Sequence, residues 1–187
     1  AFDDFSHSHP KATTLLIDTY DTEAAARAIA PLARKLSGEG ITIQAVRIDS
    51  GDLGRHAASV RAILDEGGLP DVRIFASGNL DEYAVEALLA AKAPIDGFGV
   101  GTRMNTSDDC PYLECAYKLQ EYAGSARRKR SEGEASWPGR KQVFRRFDAE
   151  GRMTGDTLAL EGDEVAGTPL LECVMRGGTR TADAPTL

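Results

Sequence analysis

Apolar positions alternate between two periods along the first hundred residues. Thr13-Thr14-Leu15-Leu16-Ile17 is a continuous β-rich run, the pattern of a strand buried on both faces. Ala25, Ile29, Leu32 and Leu36 then recur at helical spacing, with Asp21 or Thr22 as the cap and Gly38 as the stop. Pro31 lies inside this helix and is expected to kink it. A second strand spans roughly 41–48, and the helix after it shows Leu53, Ala57, Val60 and Leu64 on one face before Gly67-Gly68. Val72-Arg73-Ile74-Phe75-Ala76 is the third strand. A helix from about Leu80 to Lys92 follows, then Pro94, then a fourth strand at roughly 95–99.

Strand and helix thus repeat every ~23 to 30 residues, the size of a βαβ unit. The pattern predicts an α/β fold with parallel strands, either a doubly wound sheet or part of a barrel. A full (β/α)₈ barrel needs ~250 residues, and only four units are visible here. An open half-barrel would expose sheet edges and apolar surface, so missing sequence or an obligate partner is expected. Ala1-Phe2-Asp3-Asp4-Phe5 reads as a helix already under way and lacks an initiating Met, which also points to a piece of a larger assembly.

Past residue 110 the character changes. Cys115-Ala116-Tyr117-Lys118-Leu119 reads as a strand rather than a helix, and residues 124–140 as a charged, glycine-marked loop. Residues 141–147 alternate polar and apolar, and Asp148-Ala149-Glu150-Gly151 is turn chemistry. Residues 156–160 and 170–175 are further strand candidates. The expected division is an α/β part at 1–110 and a small β-rich lobe at 111–187.

Charge narrows the function. The net charge of −7 argues against a nucleic-acid partner, and Arg127-Arg128-Lys129-Arg130 is too short a basic run to reverse that. No apolar run approaches the ~20 residues of a membrane span. Cys110, Cys115 and Cys173 do not have the spacing of a zinc or redox site, so thiols in a reducing compartment, the cytoplasm, are expected.

The chemistry gathers at three strand ends. Val46-Arg47-Ile48-Asp49-Ser50-Gly51-Asp52-Leu53 packs a cation, carboxylates, a hydroxyl and a glycine between strand and helix. Ser77-Gly78-Asn79 and Gly99-Val100-Gly101-Thr102 are two further junctions of that kind, and three in a row point to one site for a phosphorylated sugar. Arg47 suits a carboxylate or phosphate, or else an ion pair with Asp49 or Asp18. Asp49 suits a ribose diol, and Asp52 is the cap of the next helix. Asp18 is either a loop-fixing acid or, with Asp21 as the better cap, a group free for function. Ser77, Gly78 and Asn79 can present backbone N–H groups to an anion, and Asn79 can also cap the helix. Gly101 and Thr102 form a second anion candidate beside them. His7, His9 and His56 read as solvated, His56 on the polar side of its helix, and Trp137-Pro138-Gly139-Arg140 as a surface turn with a packed Trp.

Together these motifs resemble the C-terminal half of nicotinate phosphoribosyltransferase. Leu16 to Thr22, Val46 to Leu53, Ala76 to Glu82 and Phe98 to Thr102 carry the likeness, with Tyr117-Lys118-Leu119 and Pro138 to Val143 fitting as well. The resemblance implies a partial (β/α) barrel of the type II phosphoribosyltransferase kind and a second, β-rich lobe. It implies transfer of phosphoribosyl from phosphoribosyl pyrophosphate to nicotinate, with Mg²⁺ on the pyrophosphate and ATP as co-substrate, in a homodimer. Arg47 then matches the nicotinate-contacting arginine and Asp18 and Asp49 the active-site carboxylates. Ser77, Gly78, Asn79, Gly101 and Thr102 match the 5′-phosphate loops. No dedicated metal cage is visible. The family's phosphorylatable histidine sits in a Thr-x-Ala-His-Ser type motif upstream of the matched region, and Ser6-His7-Ser8-His9 is not that motif. The chain alone is therefore expected to be inactive. Alternatives are a nicotinamide or quinolinate phosphoribosyltransferase and a non-catalytic mononucleotide-binding module. A Schiff-base aldolase is disfavoured because no lysine sits at the four strand ends.

Overall fold

The computed structural model describes residues 1–106, 117–133 and 135–183. By contact the chain divides into two units, Ala1–Lys118 with Lys129–Ser136, and Leu119–Arg128 with Trp137–Leu187.

The first unit alternates helix and strand: α1 (Phe2–Ser8), β1 (Thr13–Leu16), α2 (Thr22–Ser37), β2 (Ile43–Ile48), α3 (Leu53–Glu66), β3 (Arg73–Ser77), α4 (Glu82–Ala90) and β4 (Gly97–Gly99). The four strands form one parallel sheet in the order β1-β2-β3-β4. Leu16 pairs with Arg47, Arg47 with Phe75, and Ser77 with Gly99. The successive strand ends therefore lie side by side along one edge. Leu15, Ile17, Val46, Ile48 and Ile74 join Ala26, Ile29 and Leu36 of α2 and Ala57, Val60 and Leu64 of α3 in a single buried core. On the alternate positions Leu16 stays partly open and Phe75 half-buried. They share the Arg47 row, and Arg47 and Phe75 line an apolar cleft of about 380 Å³ with Thr14 and Phe98.

The helix starts follow capping chemistry. Asp21, Asp52 and Asp81 each accept a hydrogen bond from the backbone N–H three residues on, at 2.7, 3.0 and 2.9 Å. The third differs from the expected cap at Asn79, because Asn79 takes a left-handed turn (φ 51°) that delays α4 to Glu82. Helix α2 runs unbroken through Pro31. Pro31 and Arg27 are both exposed, so the carbonyl that loses its donor lies on the solvent side.

The second unit holds a hairpin of β5 (Glu121–Tyr122) and β6 (Ser125–Ala126). It also holds an antiparallel sheet in which β7 (Lys141–Phe147) lies between β8 (Met153–Leu160) and β9 (Thr168–Pro169). A last hairpin joins β10 (Met175–Arg176) and β11 (Thr179–Arg180). The strand expected at 170–175 is not formed, since Leu170–Val174 lie outside strands and only Met175 pairs. Tyr117, Lys118 and Leu119 are likewise in neither strand nor helix, whereas Cys110, Cys115 and Ala116 lie outside the described residues. Cys173 is an exposed free thiol. No helix among the described residues is long and apolar enough to cross a membrane.

Candidate active site

Arg47, the penultimate residue of β2, and Ser77, the last of β3, reach the same edge of the sheet because their strands are parallel neighbours. Arg47 Nε donates to Ser77 Oγ (2.7 Å) and Nη2 to Asp49 Oδ1 (2.7 Å). Ser77 Oγ in turn donates to Asp49 Oδ1 (2.5 Å). The hydroxyl thus relays between a cation and a carboxylate, and all three side chains are held by one another. Burial pushes the Asp49 carboxyl up. The hydrogen bonds from Ser77 and Arg47 and the charges of Arg47 and Lys129 outweigh it, so Asp49 titrates below the ordinary carboxylate value. Asp49 is Arg47's ion-pair partner, yet the Arg47 side chain remains 48% exposed.

Gly78 fixes the spacing of two loops. It adopts φ +96°, and a Cβ there would stand 1.9 Å from the Asp49 carbonyl oxygen. The β3–α4 loop therefore lies directly on the backbone of the acid loop, an approach open only to glycine. Arg47, Asp49, Ser77, Gly78, Asn79, Gly101 and Thr102 together line one cleft of about 210 Å³ at the strand ends. Gly101 has open space around it, and Thr102–Met104 forms a 3₁₀ turn just beyond. The first turn of α4 is already occupied by the Asp81 carboxylate, which also receives Arg103 Nη1 at 3.2 Å. The cleft is thus lined by the Ser77–Leu80 and Gly101–Thr102 loops rather than by the start of α4.

Asp18 does not line that cleft but adjoins it. The side chain is 2% exposed; its Oδ2 accepts from the Ser50 hydroxyl and from the Asp49 N–H (3.3 Å). Its Oδ1 is buried and has no hydrogen-bond partner, the one such side-chain atom among the described residues. Burying an unsatisfied carboxylate oxygen is costly and is a mark of functional sites. Asp18 lines a second cleft of about 390 Å³ with Tyr20, Ser50, Arg130 and Glu132.

His56 corrects the sequence reading. It is 6% exposed, with Nδ1 2.8 Å from Glu23 Oε1 and Nε2 3.2 Å from Glu132 Oε2. Its place three residues after Leu53 and four before Val60, on the margin of the apolar stripe, was the available signal. Nothing local marks Glu132, 76 residues away. His7 and His9 are exposed as expected, and Trp137 is 69% exposed rather than packed.

No family model matches the chain. Several curated proteins are similar to it, among them the following three. Nicotinate phosphoribosyltransferase pncB2 of Mycobacterium tuberculosis is 49% identical over 188 residues, covering all of this chain and 40% of the relative. Nicotinate phosphoribosyltransferase pncB1 of the same species is 42% identical over 78% of this chain and 31% of the relative. The Bacillus subtilis nicotinate phosphoribosyltransferase is 34% identical over 88% and 35%. The chain thus spans at most two fifths of the length of these relatives.

Proposed function

Taking as premise that this chain is a homologue of the nicotinate phosphoribosyltransferases over its whole length, we propose that it forms the phosphoribosyl-handling part of such an enzyme. The reaction joins nicotinate to the ribose of phosphoribosyl pyrophosphate, giving nicotinate mononucleotide for NAD synthesis. The observation that carries the reading is the convergence of Arg47, Asp49, Ser77, Gly78, Asn79, Gly101 and Thr102 on one cleft at the ends of parallel strands.

In this reading the pyridine nitrogen bonds to the anomeric carbon as the carbon–oxygen bond to pyrophosphate breaks. The electron pair leaves with pyrophosphate. Positive charge builds on the sugar as the bond breaks, and the carboxylates of Asp49 and Asp18 stabilise it. Asp49 Oδ1 is committed to Arg47 and Ser77, which leaves Oδ2 for a ribose hydroxyl. Arg47 offers its remaining N–H groups to the nicotinate carboxylate. The loops at Ser77–Asn79 and Gly101–Thr102 hold the 5′-phosphate, so that ring and sugar meet in a fixed orientation. Among the described residues no group of three or more His, Cys, Asp or Glu could hold an ion. Magnesium carried in on the pyrophosphate, as part of the substrate, rests on the resemblance.

The open row of Leu16, Arg47 and Phe75 supports closure of the sheet into a type II phosphoribosyltransferase barrel with this face inside. The ATP co-substrate and the homodimer rest on the resemblance, and a cytoplasmic location on the cysteine pattern of the sequence.

The test is turnover by the whole protein bearing this chain, supplied with nicotinate, phosphoribosyl pyrophosphate and MgATP. Nicotinate mononucleotide is the expected product, with nicotinamide and quinolinate poor substitutes. Preference for either alternative pyridine, or mononucleotide binding without turnover, would overturn the reading.

A further inference from the structure

Residues Lys129–Ser136 are tied to the sheet edge at several points. The ends meet through the Ser136 N–H to Lys129 O (3.1 Å) and the Lys129 N–H to Ser136 Oγ (2.9 Å). The Arg130 N–H donates to Thr19 O (2.9 Å), and the buried Ser131 hydroxyl to Asp18 O (2.6 Å). Glu132 then meets His56, which also holds Glu23 in the first turn of α2. This contact presses on the acid loop. A Cβ on Gly51, at φ +77°, would come within 2.9 Å of both Glu132 Oε2 and His56 Nε2.

Proton counting gives the contact a direction. A neutral imidazole donates from one nitrogen only, whereas a carboxylate at each nitrogen calls for the imidazolium, which donates from both. Arg55 Nη2 stands 3.1 Å from His56 Nε2 and 3.4 Å from Glu132 Oε2. When the ring loses its proton, Nδ1–H keeps Glu23, Nε2 becomes an acceptor for Arg55, and the ring's bond to Glu132 is lost. The groups facing this ring are Glu23 from α2, Arg55 from α3 and Glu132 from the segment, with Asp18, Tyr20, Asp21 and Arg130 lining the adjoining cleft.

We propose that His56 is a positioning residue. Its imidazolium clasps Arg130, Ser131 and Glu132 onto the edge of the sheet, and through Gly51 and the Asp18 backbone that segment sets the two active-site carboxylates. The clasp is tight with the ring as imidazolium and loose with the ring neutral. Its bearing on catalysis rests on the phosphoribosyl-transfer reading, but the clasp itself does not.

Hydrogen exchange followed by mass spectrometry on the whole protein tests it, read at the Arg130 and Ser136 amides across pH 5.5 to 8.5 and divided by the intrinsic chemical rates. The wild type should lose protection as pH rises. His56→Gln and Glu132→Gln should both exchange about tenfold faster at low pH, the equivalent of one charge-assisted hydrogen bond, with the pH dependence gone. Glu132 is 63% exposed, so its variant keeps the test open should the buried His56 change impair folding. Wild-type protection in Glu132→Gln overturns the clasp. Faster exchange with kcat/KM for phosphoribosyl pyrophosphate unchanged overturns the positioning role. If the wild type makes no nicotinate mononucleotide, the functional reading fails and exchange alone decides the clasp.

Discussion

Replacing Gly78 by alanine tests how the acid loop is placed. The added methyl would begin 1.9 Å from the Asp49 carbonyl oxygen and 2.8 Å from its carbonyl carbon. Restoring a tolerable separation of about 3.0 to 3.4 Å requires the two loops to part by roughly 1.1 to 1.5 Å. The obstacle is backbone, so no side-chain rotation relieves it. The residue must also hold φ +96° with a Cβ, at about 1–2 kcal/mol, and the overlap adds about 1–3 kcal/mol. A loss of about 2–5 kcal/mol is expected, read as a lower denaturation midpoint at unchanged m-value. Displacing Asp49 by about 1 Å is expected to lower turnover on the order of 100-fold. Gly101→Ala is the control for the contact alone: nothing lies within 4 Å of the place its methyl would take, so no loop is pushed aside. Gly78→Ala with the stability and turnover of the wild type would refute the argument that glycine is there for contact with Asp49.

Three further outcomes follow from the same geometry. Under the proposed function Arg47→Ala would remove a charge-assisted contact to the nicotinate carboxylate, worth about 1.5–3 kcal/mol; steady-state kinetics should show KM for nicotinate up about 10- to 150-fold, and an unchanged KM would remove Arg47 from the substrate. Ser77→Ala deletes a bond that lowers the Asp49 pKa. Because that folded pKa lies below the ordinary 3.8, the interactions of Asp49 stabilise the fold above the unfolded value and are lost as pH falls through the folded one; the variant should shift this loss to higher pH, seen by carboxyl carbon NMR, and a midpoint that stays or drops contradicts the relay. Asp18→Asn removes a buried charge whose Oδ1 is unpartnered; kcat should fall roughly 100-fold or more while the denaturation midpoint holds or rises, and full activity would make Asp18 a loop-fixing acid.

The repeat of strands and helices was legible because each signal is local. A β-rich run, a helical stripe and a capping aspartate fall within one unit of about 25 residues, which is why β1 to β4, α2, α3 and the caps at Asp21 and Asp52 sit where the pattern put them. The cap of α4 was displaced by a backbone feature, the left-handed Asn79, that residue type alone leaves open. In the C-terminal part the runs at 141–147 and 156–160 did form β7 and part of β8, whereas Leu170–Val174 make only isolated bonds, such as Leu170 N–H to Val143 O, and build no ladder, a distinction that residue type leaves open. The site was legible as a set of strand ends. Its internal wiring was not: whether Arg47 meets Asp49 or Asp18 depends on the register between β2 and β3, which places Ser77 to receive the guanidinium.

The glycines carry a more general point. Gly78 and Gly101 read alike in the sequence, each beside a strand end and each apt for an anion. In the fold they differ. Gly78 is required by the Asp49 carbonyl and would be glycine with no ligand at all, whereas Gly101 has neither a positive φ nor a neighbour within 4 Å. Gly51 joins the first kind, held by Glu132 and His56. The acid loop is thus bounded by protein on two sides, at Asp49 by the β3–α4 loop and at Gly51 by the His56 contact. In the proposed reaction that preorganisation would hold the carboxylates fixed as charge develops on the sugar. It also sorts the loss-of-function substitutions: those at Gly51 and Gly78 should reduce stability and turnover together, whereas a loss at Gly101 at unchanged stability would mark contact with the phosphate itself.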